Sequence, residues 1–166
     1  DPDIVTMGKP MGNGYPVAGI AVKHSIVESF AYDSRYFNTF GGNTVAMAAA
    51  QAVLNVIQEE KLVENSGTVG AFLKAGLQDL AKSHDVIGDV RGSGLYYGVE
   101  LVTDRTAKTP DAPSTAKVVN GLRERRVLIS TTGAAANTLK IRPPLVFSEE
   151  NATHLLTELE ATLAAL

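Results

Sequence analysis

Residues 44 to about 62 contain no glycine or proline, and Val45, Ala48, Ala49, Ala52, Val53, Val56 and Ile57 recur there at helical spacing. A long helix is predicted, and any fold open to this chain must find a partner for that apolar stripe. Six of the seven residues from Ala46 to Ala52 are Ala or Met. Such a helix can approach another backbone closely, as one packed on a sheet or at a subunit interface does. Asn43 stands where its N-cap is needed.

The segments on either side alternate between strand and helix. Ile4-Val5-Thr6-Met7 and Gly19-Ile20-Ala21-Val22 read as strands joined by a Gly/Pro-rich loop, and residues 36–43 as an ordered loop. A second helix is predicted from about Glu64 to Ser83, with Val69, Phe72, Leu73, Leu77 and Leu80 on one stripe, although Gly67, Gly70 and Gly76 weaken it. Two strands, 86–91 and 95–101, flank Gly92-Ser93-Gly94, a hairpin signal. A polar connection (103–113) leads to a helix near 114–125, strands at 127–130 and 139–142, and an amphipathic helix near 149–166. The pattern is a mixed α/β chain whose back part is α+β, with a boundary between residues 62 and 84.

Composition removes several classes of function. Fifteen Lys and Arg against eighteen Asp and Glu give a net charge of −3, with no basic footprint for nucleic acid or an anionic membrane. There is no cysteine, which excludes disulfides, thiolate nucleophiles and sulfur-ligated metals and fits a reduced, cytoplasmic setting. No apolar run approaches the ~20 residues that span a bilayer. The chain starts at Asp1-Pro2 without a methionine or a secretory pattern and is expected to be an excised piece of a longer protein.

The residue with the clearest chemical potential is Lys9, in Gly8-Lys9-Pro10-Met11-Gly12-Asn13-Gly14-Tyr15-Pro16. It follows a strand directly, where open α/β sheets place ligands, and glycines beside it let the backbone approach a bulky group. A solvated loop lysine would satisfy the same pattern.

The run from Asp3 through that motif to Pro16 resembles the segment around the Schiff-base lysine of class III, fold-type I pyridoxal-phosphate aminotransferases. The resemblance continues through Phe37-Asn38-Thr39-Phe40-Gly41-Gly42-Asn43, Gly88-Asp89-Val90-Arg91-Gly92-Ser93-Gly94-Leu95 and Leu139-Lys140-Ile141-Arg142-Pro143-Pro144-Leu145. It implies an α/β fold, the C-terminal part of the fold-type I transferase fold. Residues 1–60 would be the tail of the large cofactor-binding domain and residues 61–166 a small α+β domain. It implies pyridoxal 5′-phosphate as cofactor, Lys9 as the catalytic, cofactor-binding lysine, and a small-molecule amine as substrate, its amine passing to a keto or aldehyde acceptor.

Thr39 matches a family position that contacts the cofactor phosphate of the neighbouring subunit, which implies a homodimer with shared sites; the hydroxyl could equally order its own loop. Arg91 is expected to brace the small domain rather than touch substrate. The family places the aspartate under the pyridine nitrogen, the phosphate-cradling loop and the ring-stacking aromatic upstream of Lys9. The 166 residues alone are therefore expected to be inactive.

One position departs from the pattern. Most class III aminotransferases have an arginine three residues before the double proline that grips the substrate carboxylate; here it is Lys140. Lysine exchanges a planar fork for a compact charge, which is not conservative at a carboxylate clamp. Arg142 faces the same way in a strand and could substitute, and a structural ion pair remains open for either. With Lys140, the motifs look similar to ethanolamine-phosphate phospho-lyases and their alanine–glyoxylate aminotransferase 2-like relatives. Elimination of phosphate from an amino-alcohol phosphate is thus the alternative reaction.

Overall fold

The computed structural model describes residues 1–166, which divide into two compact units, Asp1–Lys61 and Leu62–Leu166. In the first, β1 (Ile4–Met7) pairs antiparallel with β2 (Gly19–Val22), Ile4 opposite Val22 and Met7 opposite Gly19. The Lys23 ammonium meets Asp3 at 2.6 Å beside this ladder. The connection between the strands is a 3-10 turn, Lys9–Gly12, followed by Asn13 at φ 45°. Helix α1 (His24–Asp33) comes next, and then α2 (Thr44–Glu59), N-capped by Asn43, whose Oδ1 accepts from the Ala46 amide at 2.9 Å.

The first unit has almost no interior. Its buried residues are Gly12 and Ala46 alone, and the 3-10 turn and α2 that carry them pack on each other. Ile20, Tyr32, Tyr36, Phe37, Phe40 and Val45 are all exposed.

The second unit has a conventional core. Helix α3 (Leu62–Ser83) is followed by β3 (Ile87–Ser93), β4 (Tyr96–Asp104), β5 (Thr109–Pro110), α4 (Ala112–Glu124), β6 (Ser130–Thr132), β7 (Thr138–Ile141) and α5 (Glu149–Leu163). The sheet is antiparallel in the order β3-β4-β7-β6, with β5 paired to the end of β4. Side chains alternate across it. Tyr97, Val99 and Leu101 of β4 and Leu139 and Ile141 of β7 point to the helices, meeting Leu73 and Leu77 of α3, Val118 and Leu122 of α4, and Leu155 and Leu159 of α5. The other face is polar: Arg91, Gly98, Lys140 and Ser130 stand side by side across four strands.

Close packing explains two of the glycines that weaken the sequence pattern of α3. A Cβ on Gly70 would lie 2.0 Å from the carbonyl oxygen of Gly94, and one on Gly76 would lie 2.3 Å from Leu156 Cδ1. Across the first contact the Tyr97 hydroxyl donates to the Gly70 carbonyl at 3.1 Å, and Ser66 Oγ accepts from the Leu95 amide at 3.2 Å.

Some expectations are corrected. Residues 127–129 are not strand: the Val127 amide is spent on the Leu122 carbonyl at 2.9 Å, closing α4, so pairing starts only at Ser130. Phe72 is exposed and lies off the buried stripe of α3. The polar connection contains β5, and α1 had no counterpart in the sequence reading.

Candidate functional site

Lys9 opens the 3-10 turn at the end of β1 with φ at 49°, a left-handed conformation that costs a non-glycine residue about 1 kcal/mol or more. Pro10 then fixes the backbone into the turn. Gly12 leaves room for Val17, whose Cγ1 would lie 2.6 Å from a Cβ there and would have to shift. Lys9 is exposed and takes part in no ion pair, so its side chain is accessible.

Thr39 lies in the loop between α1 and α2, also exposed, with neither its hydroxyl nor its amide hydrogen-bonded within the chain. The alternative role considered for it, ordering the loop, is carried instead by Asn38 and Asn43.

Lys140 and Arg142 belong to the second unit and come together. Lys140 lies on the polar face of β7 between Gly98 and Ser130, and Arg142 follows the strand's last residue, Ile141. Both line a cleft of about 540 Å³ that opens where β6 and β7 part, bounded by residues 126–130 and 140–144 and by Asn151, His154 and Leu155 of α5. Arg126 and His154 line it too, and no acidic residue does. None of Arg126, Lys140 and Arg142 forms an ion pair, whereas neighbouring Arg125 is held by Glu158 at 3.0 Å. Sequence reasoning missed Arg126 and His154; the Arg125-Arg126 doublet is the only signal, and it does not say which of the two is left free.

Arg91 is committed elsewhere. Its guanidinium meets Asp89 at 2.8 Å and Glu100 at 2.5 Å, and the hydrogen bonds it donates to these carboxylates hold its pKa above the usual arginine value. No cluster of His, Cys, Asp and Glu suits a metal ion, and no helix is long and apolar enough to cross a membrane.

A helix-covered antiparallel sheet in one unit and a lysine on a tight strand-to-strand turn in the other match solved structures of pyridoxal-phosphate enzymes. Over its full length the chain is similar to a phospholyase from Arthrobacter in complex with phosphoethanolamine, with TM-score 0.96, 39% identity and 39% of that chain covered. It is also similar over 99% of its length to an amine transaminase from an uncultivated Pseudomonas species in the PLP-bound form, with TM-score 0.87, 30% identity and 38% of that chain covered.

The pattern that defines "Aminotransferase class-III" matches residues 1–163, and the chain belongs to that family. Among curated relatives, ethanolamine-phosphate phospho-lyase homolog 1 of Caenorhabditis elegans is 43% identical over 99% of this chain and 36% of its own length. The mitochondrial alanine–glyoxylate aminotransferase 2 homolog 2 of Arabidopsis thaliana is 44% identical over 99% of this chain and 34% of its own. The chain thus spans about a third of the length of these curated relatives.

The family uses pyridoxal phosphate, and the residues present suit it in part. They offer an accessible, unpaired lysine side chain at Lys9 and two free donors at Thr39. The first unit, with only Gly12 and Ala46 buried, offers nothing to enclose an aromatic ring.

Proposed function

We propose that this chain is the lysine-bearing part of a class III enzyme that eliminates phosphate from a small amino-alcohol phosphate such as phosphoethanolamine. The observation that carries the reading is Lys140: an unpaired point charge stands on the polar sheet face where the family resemblance leads one to expect a carboxylate-gripping arginine. A phosphate monoester does not require a planar fork, and an ammonium with rotatable donors can bind its tetrahedral oxygens as a point charge. Similarity to a phospholyase holding phosphoethanolamine supports the same substrate class.

Bound pyridoxal phosphate supplies an electron sink for the pair left behind when a proton leaves the substrate carbon bearing the amine. Lys9 would hold the cofactor through its side-chain nitrogen and, once freed from it, would move the proton at that carbon. Lys140 and Arg142 hold the phosphate and offset its charge as the C–O bond on the adjacent carbon breaks. Thr39 would donate to the cofactor phosphate of a second subunit, an arrangement that requires a homodimer.

Amine transfer to a keto acid is the second reading, favoured by the alanine–glyoxylate aminotransferase relatives. There Lys9 carries the proton onward instead of a leaving group departing. The test incubates the full-length protein with phosphoethanolamine, following phosphate and acetaldehyde, beside an amino donor with pyruvate or glyoxylate. Phosphate release without a keto acid is expected, and it should disappear in Lys9→Ala. Turnover only with the amino donor and keto acid would overturn elimination in favour of transfer.

A further inference from the structure

The loop that presents Thr39 is shaped by asparagine side chains. Asn38 Oδ1 accepts from the Phe40 amide at 3.2 Å and the Gly41 amide at 3.0 Å, while its Nδ2 donates to the Tyr36 hydroxyl at 3.3 Å. These partners fix which way the amide points, since turning it over would set an NH₂ group against two N–H donors. Tyr36 leans on Phe30 of α1, ring centroids 6.1 Å apart. Gly41 leaves room for the arrangement, because a Cβ there would come within 3.1 Å of Asn38 Cγ. On the far side Asn43 Nδ2 donates to the Phe40 carbonyl at 2.8 Å.

The turn consumes the amides of Phe40 and Gly41 and leaves both donors of Thr39 free. Hydrogen bonding alone does not require asparagine here: an aspartate would accept from the same two amides more strongly. Charge makes the difference. A carboxylate one residue from Thr39 would repel an anion arriving at its donors, and residues 36–43 contain no charged side chain at all.

We infer that Asn38 is a positioning residue for the phosphate contact of Thr39: its neutral oxygen holds the turn that presents the Thr39 hydroxyl and amide, and adds no repelling charge. The inference rests on the reading of Thr39 given above.

The test uses the full-length protein stripped of cofactor, with equilibrium binding of pyridoxal phosphate and of pyridoxal, which has the same ring and aldehyde but no phosphate. Asn38→Ala is expected to weaken pyridoxal phosphate by about tenfold, the scale of one charge-assisted contact. Asn38→Asp, which keeps the turn, is expected to weaken it at least as much. Both should leave pyridoxal within about twofold. Equal losses for the two ligands in Asn38→Ala would reduce the residue to a loop brace and overturn the inference, as would parent-like pyridoxal phosphate binding by Asn38→Asp. Thr39→Ala separates the two claims. If it discriminates between the ligands and the Asn38 variants do not, the Thr39 contact stands and the positioning role is wrong; if none discriminates, the Thr39 assignment fails and takes the inference with it.

Discussion

Two glycines of α3 should respond to the same substitution with opposite signs. Gly67 is exposed with nothing within 4 Å of a built Cβ, so Gly67→Ala collects the helix-propensity gain and stabilises the second unit by about 0.5–1 kcal/mol. Gly70 is buried, and its Cβ would lie 2.0 Å from the Gly94 carbonyl oxygen, a backbone atom that no rotamer change can move aside. The hairpin turn would have to retreat by more than an ångström to restore ordinary contact. Overpacking of this kind costs about 1–3 kcal/mol. The retreat also strains the bonds from Tyr97 to Gly70 and from Leu95 to Ser66, each worth about 1 kcal/mol. Set against the propensity gain of about 1 kcal/mol, Gly70→Ala should destabilise by about 2–4 kcal/mol. Hydrogen exchange of the Leu73 and Leu77 amides reads this in the second unit without contribution from the first. Equal shifts for the two variants, or a Gly70→Ala protein as stable as the parent, would refute the close approach of α3 to the hairpin.

Burial pushes the Tyr97 phenol above its ordinary value, so the folded state favours the neutral form; that contribution is intact below the unfolded value of about 10 and is lost as pH rises from there through the folded value. Tyr97→Phe should lose about 1 kcal/mol near neutral pH and show a flatter alkaline limb in denaturation midpoints. Ser148→Ala removes the acceptor of the Asn151 amide at 3.2 Å and half of a capping box, and should cost about 1 kcal/mol by urea denaturation. The 166-residue chain alone, mixed with pyridoxal phosphate, should develop no stable visible absorbance dependent on Lys9; a band that Lys9→Ala abolishes would contradict this.

Local signals located what local physics decides. The hairpin of β1 and β2 was legible because Gly8 and the glycines and prolines after it punctuate two short apolar runs, and α2 because an N-capping asparagine precedes an unbroken periodicity. Helix α1 was not: its N-cap, Lys23, makes no side-chain capping bond, and its apolar residues Ile26, Val27 and Phe30 remain exposed. The strand expected at 127–130 shifted because the end of α4 claims the Val127 amide, a non-local competition that a β-rich pattern does not reveal. At the site, Lys9, Thr39, Lys140 and Arg142 were reached through motif resemblance, and their pairing states were not. Arg125, tied to Glu158, is the C-cap of α4, while Arg126, which lines the cleft, leaves the helix at φ 65°.

The near absence of an interior in the first unit alters how mutations in this chain should be scored. A saturation scan that selects only for folding of these 166 residues would register intolerance at Leu73, Leu77 or Leu122, which are fully buried, and near indifference at Phe37 and Phe40, which are 86% and 79% exposed. Lys9 and Thr39 themselves, both exposed, would look neutral by that criterion. Tolerance measured through stability and tolerance measured through catalysis should therefore diverge most sharply across residues 1–61, and the difference between the two scans would itself outline the functional surface.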